Sequence, residues 1–175
     1  MSDPSIGFIA ILRRLGNLIS RRNLLSEAPE DWENSLIKLP ARRRKNISVF
    51  IRHLDAGSSN DCELEISALS NPVYDFQRFG FHFVASPRHA DALLVTGPFT
   101  PGMEVAALAA FRAMPQPRRV ITLGDGFDPD GLFGDSYAAL PLPQVMADAW
   151  IVHIPGSPPS PQELLNVLNA IEFPL

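Results

Sequence analysis

From Ile47 onward the chain repeats one pattern: a short run rich in Val, Ile and Leu, a loop of small residues, then a helix-like stretch. The strand-like runs are Ile47–Leu54, Ala92–Thr96, Val120–Leu123 and Trp150–Ile154. Helical periodicity follows at Cys62–Leu69, Gly102–Met114 and Pro161–Ile171. Strands that alternate with helices must pair in parallel, because a hairpin cannot accommodate the intervening helix. The expected fold is therefore α/β: a three-layer sandwich around a four-stranded parallel sheet, flavodoxin-like in order. With 46% hydrophobic residues, 175 residues supply a sizeable core.

The sequence before this pattern differs in kind. Phe8, Ile9, Leu12, Leu15 and Ile19 recur at spacings of three and four between Arg13, Arg14, Asn17 and Arg21, so residues 5–25 read as an amphipathic helix. Residues 26–46 are polar and end in Arg42-Arg43-Arg44-Lys45. The expected organisation is a basic amphipathic arm and linker over 1–46 and an α/β domain over 47–175. Residues 1–52 hold ten Lys/Arg against five Asp/Glu, leaving five against fourteen in 53–175. An acidic body repels phosphates and argues against nucleic-acid binding. The arm's stripe suits packing on its own domain, a partner subunit or the membrane interface. Its longest apolar run, Ile6–Leu12, is far short of a membrane span, and basic residues following rather than preceding it argue against a signal peptide.

In an open parallel sheet the carboxyl ends of the strands share one edge, which is where ligands bind. Four small-residue loops converge there: Gly57-Ser58-Ser59, Gly97-Pro98, Gly124-Asp125-Gly126 and Pro155-Gly156-Ser157. No Gly-x-Gly-x-x-Gly or Walker pattern is present, and the loops bring Asp61, Glu63, Asp125, Asp128 and Asp130 rather than Lys or Arg, which disfavours a phosphate site. No local motif links Ser58, Ser59 or Ser157 to His53, His82, His89 or His153, so a serine hydrolase is not indicated; His53 and His153, in or beside strands, read as structural. Asp125-Gly-Phe-Asp128-Pro-Asp130-Gly131 departs from EF-hand spacing and reads as a turn. The single cysteine, Cys62, excludes an intramolecular disulfide and a thiolate-rich zinc site, and fits a reducing compartment.

Five ordered blocks carry a resemblance. They are Leu54-Asp55-x-Gly57-Ser58-x-Asn60-x-Cys62-Glu63-Leu64-Glu65, Pro72-Val73-Tyr74-Asp75 with Arg78-Phe79-Gly80, and Ser86 to Pro98. The last two are Gly124-Asp125 with Gly131-Leu132-Phe133 and Ser136-Tyr137, and Pro155 to Pro161. Over about Ser48 to Glu172 the chain resembles the iron–sulfur small subunit of membrane-bound, energy-converting nickel–iron hydrogenases and formate hydrogenlyase, and the homologous 20 kDa (B) subunit of respiratory complex I, NADH-quinone oxidoreductase.

In the hydrogenase branch, the resemblance places the four cysteines of a four-iron four-sulfur cluster on Ser59, Cys62, Gly126 and Ser157. In the complex I branch the adjacent pair falls on Asp61 and Cys62. Only Cys62 remains a cysteine. Soft, anionic thiolates match cluster iron, and one thiolate with hydroxyls and a carboxylate is a poor substitute. The expectation is that no metal or cofactor is bound, no residue is catalytic, and the chain is a redox-silent structural subunit.

The alternative is an electron-transferring subunit whose cluster is held by Cys62, Asp61 and ligands from another chain. The resemblance further implies a hydrogenase large-subunit or complex I 49 kDa-like partner, ion-translocating, antiporter-like membrane subunits, and a peripheral place on the cytoplasmic side of the inner membrane. Glu63 and Glu65 match family acids beside the cluster, where they can relay protons or cap the helix.

Overall fold

The computed structural model describes residues 48–131, 133–171 and 173; the expected arm over 1–46 lies outside them. Five strands form one sheet: β1 (Val49–Asp55), β2 (Phe81–Phe83), β3 (Ala92–Thr96), β4 (Val120–Leu123) and β5 (Trp150–Ile154). All pairings are parallel and the order is β2-β1-β3-β4-β5, the flavodoxin-like arrangement. The sheet has one strand more than expected. Phe81-His82-Phe83 is too short for alternation to show, and it becomes an edge strand by pairing Val49 with Phe81 and Ile51 with Phe83.

The helices are α1 (Asp61–Ala68), α2 (Glu104–Ala113), the single turn α3 (Gln144–Ala147) and α4 (Pro161–Ala170). Central strand β3 is buried along its whole length, as expected of a parallel strand covered on both faces. One face packs Ile51, Leu94, Ile121 and Leu123 against Cys62 and Ile66 of α1 and Leu164, Leu165 and Leu168 of α4. The other packs Leu93, Val95 and Val120 against Ala107 and Phe111 of α2 and Met146 of α3. Each fully buried leucine of α4 contributes about 1.5–3 kcal/mol through removal from water.

The start of α4 is locally encoded. Ser160 accepts from the Glu163 amide at 3.3 Å while Glu163 accepts from the Ser160 amide at 2.9 Å, a capping box, and Pro161 occupies the first turn where no N–H is needed. The Ser160 amide, together with the Ser160 hydroxyl at 2.8 Å, holds the Glu163 carboxyl below its ordinary range. The Pro155–Pro161 block therefore turns the chain from β5 into α4 at the same edge as the other three loops.

Candidate functional site

Register brings the strand ends together. Asp55 of β1 stands opposite Thr96 of β3, and Thr96 opposite Leu123 of β4, itself opposite Ile154 of β5. The loops that follow then meet at close range. The Asp55 carboxylate folds the first of them by accepting from the Gly57 and Ser58 amides, both at 2.8 Å. The Asp125 carboxylate ties the third loop to the fourth, accepting from the Gly156 amide at 2.6 Å, while the Asp125 amide donates to the Ser157 hydroxyl at 3.0 Å.

Cys62, in the first turn of α1, is 1% exposed and belongs to the apolar core beneath the helix. Burial raises its thiol pKa to about 12, with the Asp61 and Glu63 carboxylates adding to the effect, so the thiol is protonated at neutral pH. Gly124, at the end of β4, has φ +95°. A β-carbon there would lie 3.1 Å from the Cys62 sulfur and 3.5 Å from the Ser157 hydroxyl oxygen. The fold thus gathers Cys62 and Ser157 around Gly124, a residue that sequence reasoning did not single out.

Gly126 is different. A β-carbon on it would overlap the Pro98 nitrogen and lie 2.6 Å from the Gly97 carbonyl carbon. The backbone of the second loop fills the space in which a side chain at this corner would begin. Ser59 is exposed in the first loop, and Ser157 is exposed in the fourth. Asp61 lies at the mouth of α1. Burial pushes its carboxyl upward, but the Cys62 amide at 2.8 Å and the Ser59 hydroxyl together hold it below the ordinary carboxylate range. Its oxygen is already an acceptor for the amide of the residue that would be its fellow ligand.

Glu63 is the hub of a second constellation. It accepts from the Ser58 hydroxyl at 2.6 Å and from the fully buried Thr96 hydroxyl, and it faces His53 Nε2 at 3.4 Å; His53 in turn meets Thr96 Oγ1 at 3.0 Å. Burial pushes the His53 pKa below its ordinary value, and the Glu63 carboxylate offsets this only in part, so the imidazole is neutral at pH 7. The partners of the Glu63 carboxylate among the described residues are thus side chains, not the amides of the helix start. Glu65, one position beyond Leu64 on α1, joins neither constellation and is half-buried. Thr96 and His53 were also missed as partners of Glu63. The available signal was two polar side chains, Asp55 and Thr96, ending adjacent parallel strands.

The carboxylates of the Asp125–Gly131 segment serve the backbone: Asp128 Oδ1 accepts from the Asp130 amide at 3.0 Å, and the Gly131 amide closes a turn onto the Asp128 carbonyl at 3.1 Å. On the opposite sheet face, His153 Nδ1 meets the Thr122 hydroxyl at 3.0 Å, and the Trp150 indole donates to the same hydroxyl at 3.1 Å. No group of three His, Cys, Asp or Glu arranged to hold a metal occurs among the described residues.

Residues 60–171, which include α1, the second, third and fourth of the converging loops and α4, match the family described as NADH ubiquinone oxidoreductase, 20 Kd subunit. The chain belongs to this family. It is 35% identical over 154 residues to formate hydrogenlyase subunit 7 of Escherichia coli K12, covering 86% of this chain and 60% of that one. It is 38% identical over 127 residues to a probable membrane-bound hydrogenase subunit, mbhJ, of Pyrococcus furiosus, covering 71% and 75% respectively. The NADH-quinone oxidoreductase (B) subunit of Carboxydothermus hydrogenoformans is 39% identical over 59% of this chain and 63% of its own.

Among solved structures, a chain of the membrane-bound sulfane sulfur reductase, an archaeal respiratory membrane complex, superposes with a TM-score of 0.55 at 27% identity, covering 70% of this chain and 68% of that one. These relatives are subunits of hydrogenase and complex I-like assemblies. No described helix of this member is long and apolar enough to cross a membrane.

The donor set of this family member does not fit a four-iron four-sulfur cluster. Of the positions that the resemblance to the hydrogenase branch assigns to thiolates, one is a buried, protonated thiol, two are exposed hydroxyls, and the fourth is a glycine whose side-chain space is taken by backbone; in the complex I branch the Asp61 carboxylate takes the place of the Ser59 hydroxyl.

Proposed function

We propose that this protein is a cluster-less, redox-silent structural subunit of a membrane-associated, complex I-like or hydrogenase-related assembly. It packs between a large-subunit homologue and ion-translocating membrane subunits on the cytoplasmic side of the membrane. The packing of Gly126 against Gly97 and Pro98 carries this reading. A serine at a cluster corner can in principle become a cysteine by one substitution; a corner occupied by neighbouring backbone cannot receive a ligand without moving the loop.

The observed frame supports a scaffold. All four loops are held by bonds within the chain, so the edge keeps its shape without metal. Asp55, Asp61 and Asp125 accept from backbone amides, and the Thr100 amide ties the second loop to the Ala56 carbonyl at 3.0 Å. The family membership supports a place in a multisubunit complex, and the basic, amphipathic sequence over residues 5–25 suits a partner or membrane contact at its border. In this reading residues 1–46 are an arm and 47–175 the packing domain. Of the two relay candidates, the contacts of Glu63 with Ser58, Thr96 and neutral His53 support a proton-passing role at the site edge, and no such contacts support Glu65 among the described residues.

Anaerobic reconstitution of the full chain with ferrous iron and sulfide tests the fit. The proposal expects no stable charge-transfer absorption near 400 nm after desalting. A reducible cluster signal that survives desalting and disappears in Cys62→Ala would instead favour an atypically ligated, electron-transferring subunit.

A further inference from the structure

The two edges of the sheet carry opposite charge. Because every strand is parallel, all of them start on one edge and end on the other. The carboxyl edge gathers Asp55, Asp61, Glu63, Asp125, Asp128 and Asp130, with no lysine or arginine. The five arginines that follow Arg52 all lie at the amino edge. Arg78 precedes β2, Arg88 precedes β3, and Arg112, Arg118 and Arg119 lie between the last turn of α2 and the start of β4.

Three acids share the amino edge, and each is engaged. Asp75 pairs with Arg78 at 3.9 Å, Asp91 accepts from the Phe50 amide at 2.8 Å, and Asp148 accepts from the Gln144 amide group at 2.7 Å. Two of the arginines are structural. Arg118 donates to the Met114 and Arg112 carbonyls at 3.1 and 2.9 Å, which caps α2, and Arg119 is buried with its guanidinium over the Phe173 ring. Arg88 and Arg112 are exposed and make no ion pair among the described residues.

The chain enters the sheet at this same edge. Arg42-Arg43-Arg44-Lys45 ends three residues before Ser48, a span of at most about 11 Å. Near the entry, Phe50 at the start of β1 and Val73 before β2 are exposed apolar side chains. Cations interleaved with apolar side chains match the boundary between anionic headgroups and acyl chains, and residues 5–25 repeat that composition earlier in the same chain.

We propose that the amino edge of the sheet, centred on Arg88 and Arg112, lies against an anionic lipid surface and turns the acidic carboxyl edge away from it. This assignment rests on the membrane placement proposed above and is independent of whether a cluster is bound. Attraction at one edge and repulsion at the other orient the domain, and each cation near such a surface strengthens binding about fivefold.

Flotation of the full chain with vesicles tests the edge, since aggregated protein sediments and only lipid-bound protein rises. Vesicles of phosphatidylcholine alone are compared with vesicles of equal parts phosphatidylcholine and phosphatidylglycerol. The expected result is binding to the anionic vesicles that weakens as salt rises. Arg88→Gln and Arg112→Gln should each lower the partition coefficient about fivefold, and together about 25-fold. Arg88→Lys combined with Arg112→Lys keeps both charges and should bind as the parent chain does. Ala138→Glu makes the same one-unit change in net charge in the excursion after β4, which is pinned to the carboxyl edge where the Leu140 amide donates to the Phe99 carbonyl at 2.6 Å. It should leave binding unchanged.

Equal binding to both vesicle types, or a loss in Ala138→Glu as large as in the arginine variants, would overturn the proposal. Unchanged flotation of the double glutamine variant would overturn the edge alone and put the lipid contact elsewhere in the chain; joined to weaker copurification of the other subunits, it would assign the edge to an acidic protein. A parent chain that binds neither vesicle would overturn the membrane placement as well.

Discussion

A β-carbon on Gly124 would lie 3.1 Å from the sulfur of Cys62, sixty-two positions earlier in the chain. The end of β4 and the first turn of α1 are thus in contact with no room between them. Gly124 also has φ +95° and ψ 155°, a backbone region that is essentially reserved for glycine. Gly124→Ala should therefore destabilise the chain by about 1–3 kcal/mol from backbone strain alone, with an added contribution from the sulfur contact. In a Cys62→Ala background that added part should vanish while the strain remains. A double-mutant cycle by urea unfolding measures the difference.

The core position of Cys62 has a chemical consequence. With its thiol buried and its pKa at about 12, it should resist iodoacetamide at pH 8 in the native chain and react once urea unfolds it. The pH dependence has a definite sign. The folded value is raised, so the unfolded state loses its proton first; the stability contribution is complete below about 9 and is lost as pH rises toward 12. Cys62→Ala should flatten that alkaline decline in a thermal unfolding series.

His53 acts in the opposite direction. Its folded pKa is lowered from 6.5, so on acidification the unfolded state takes up a proton first. Stability present above pH 6.5 is lost as pH falls through the lower folded value. Melting temperature should drop between pH 7 and pH 5, and less so in His53→Gln. Glu63→Gln removes the carboxylate that offsets burial, so NMR titration of the His53 ring should show a still lower pKa and the acid decline should steepen.

Restoring thiols should not be equally tolerated around the edge. Ser157 is exposed, and Ser157→Cys loses one weak acceptor for the Asp125 amide, a change worth about 1 kcal/mol or less. Gly126→Cys must displace Gly97 and Pro98 and should cost about 1–3 kcal/mol, as overpacking does. Denaturant midpoints of the two single variants test this order.

Much of this architecture is legible in the residues. Ala92–Thr96 and Val120–Leu123 are continuous apolar or β-branched runs, Trp150–Ile154 is such a run broken by His153, each is followed by glycine or proline, and all three are strands with those bounds. The convergence of four loops follows from the parallel sheet alone. By contrast, Phe81–Phe83 has too few residues for any period, and its strand identity comes from pairing with β1. The network of Glu63, Thr96 and His53 depends on the register of β1 against β3, about forty residues apart in sequence, which local pattern does not encode. The closure of Gly126 is likewise a contact between two loops, visible only once Gly97 and Pro98 have a position. The family blocks mark the positions to which the resemblance assigns cluster ligands; the packing around them is a separate matter that the blocks do not encode.

That this family member holds no iron–sulfur cluster is tested most directly by iron and acid-labile sulfide determination, with low-temperature EPR after dithionite reduction. The material is the native complex purified anaerobically through this chain, and then the separated subunit. Iron and sulfide should remain with other subunits, and this chain should show neither a stoichiometric metal content nor a reducible cluster signal. Stoichiometric iron and sulfide on this chain, with an EPR signal abolished by Cys62→Ala, would contradict it.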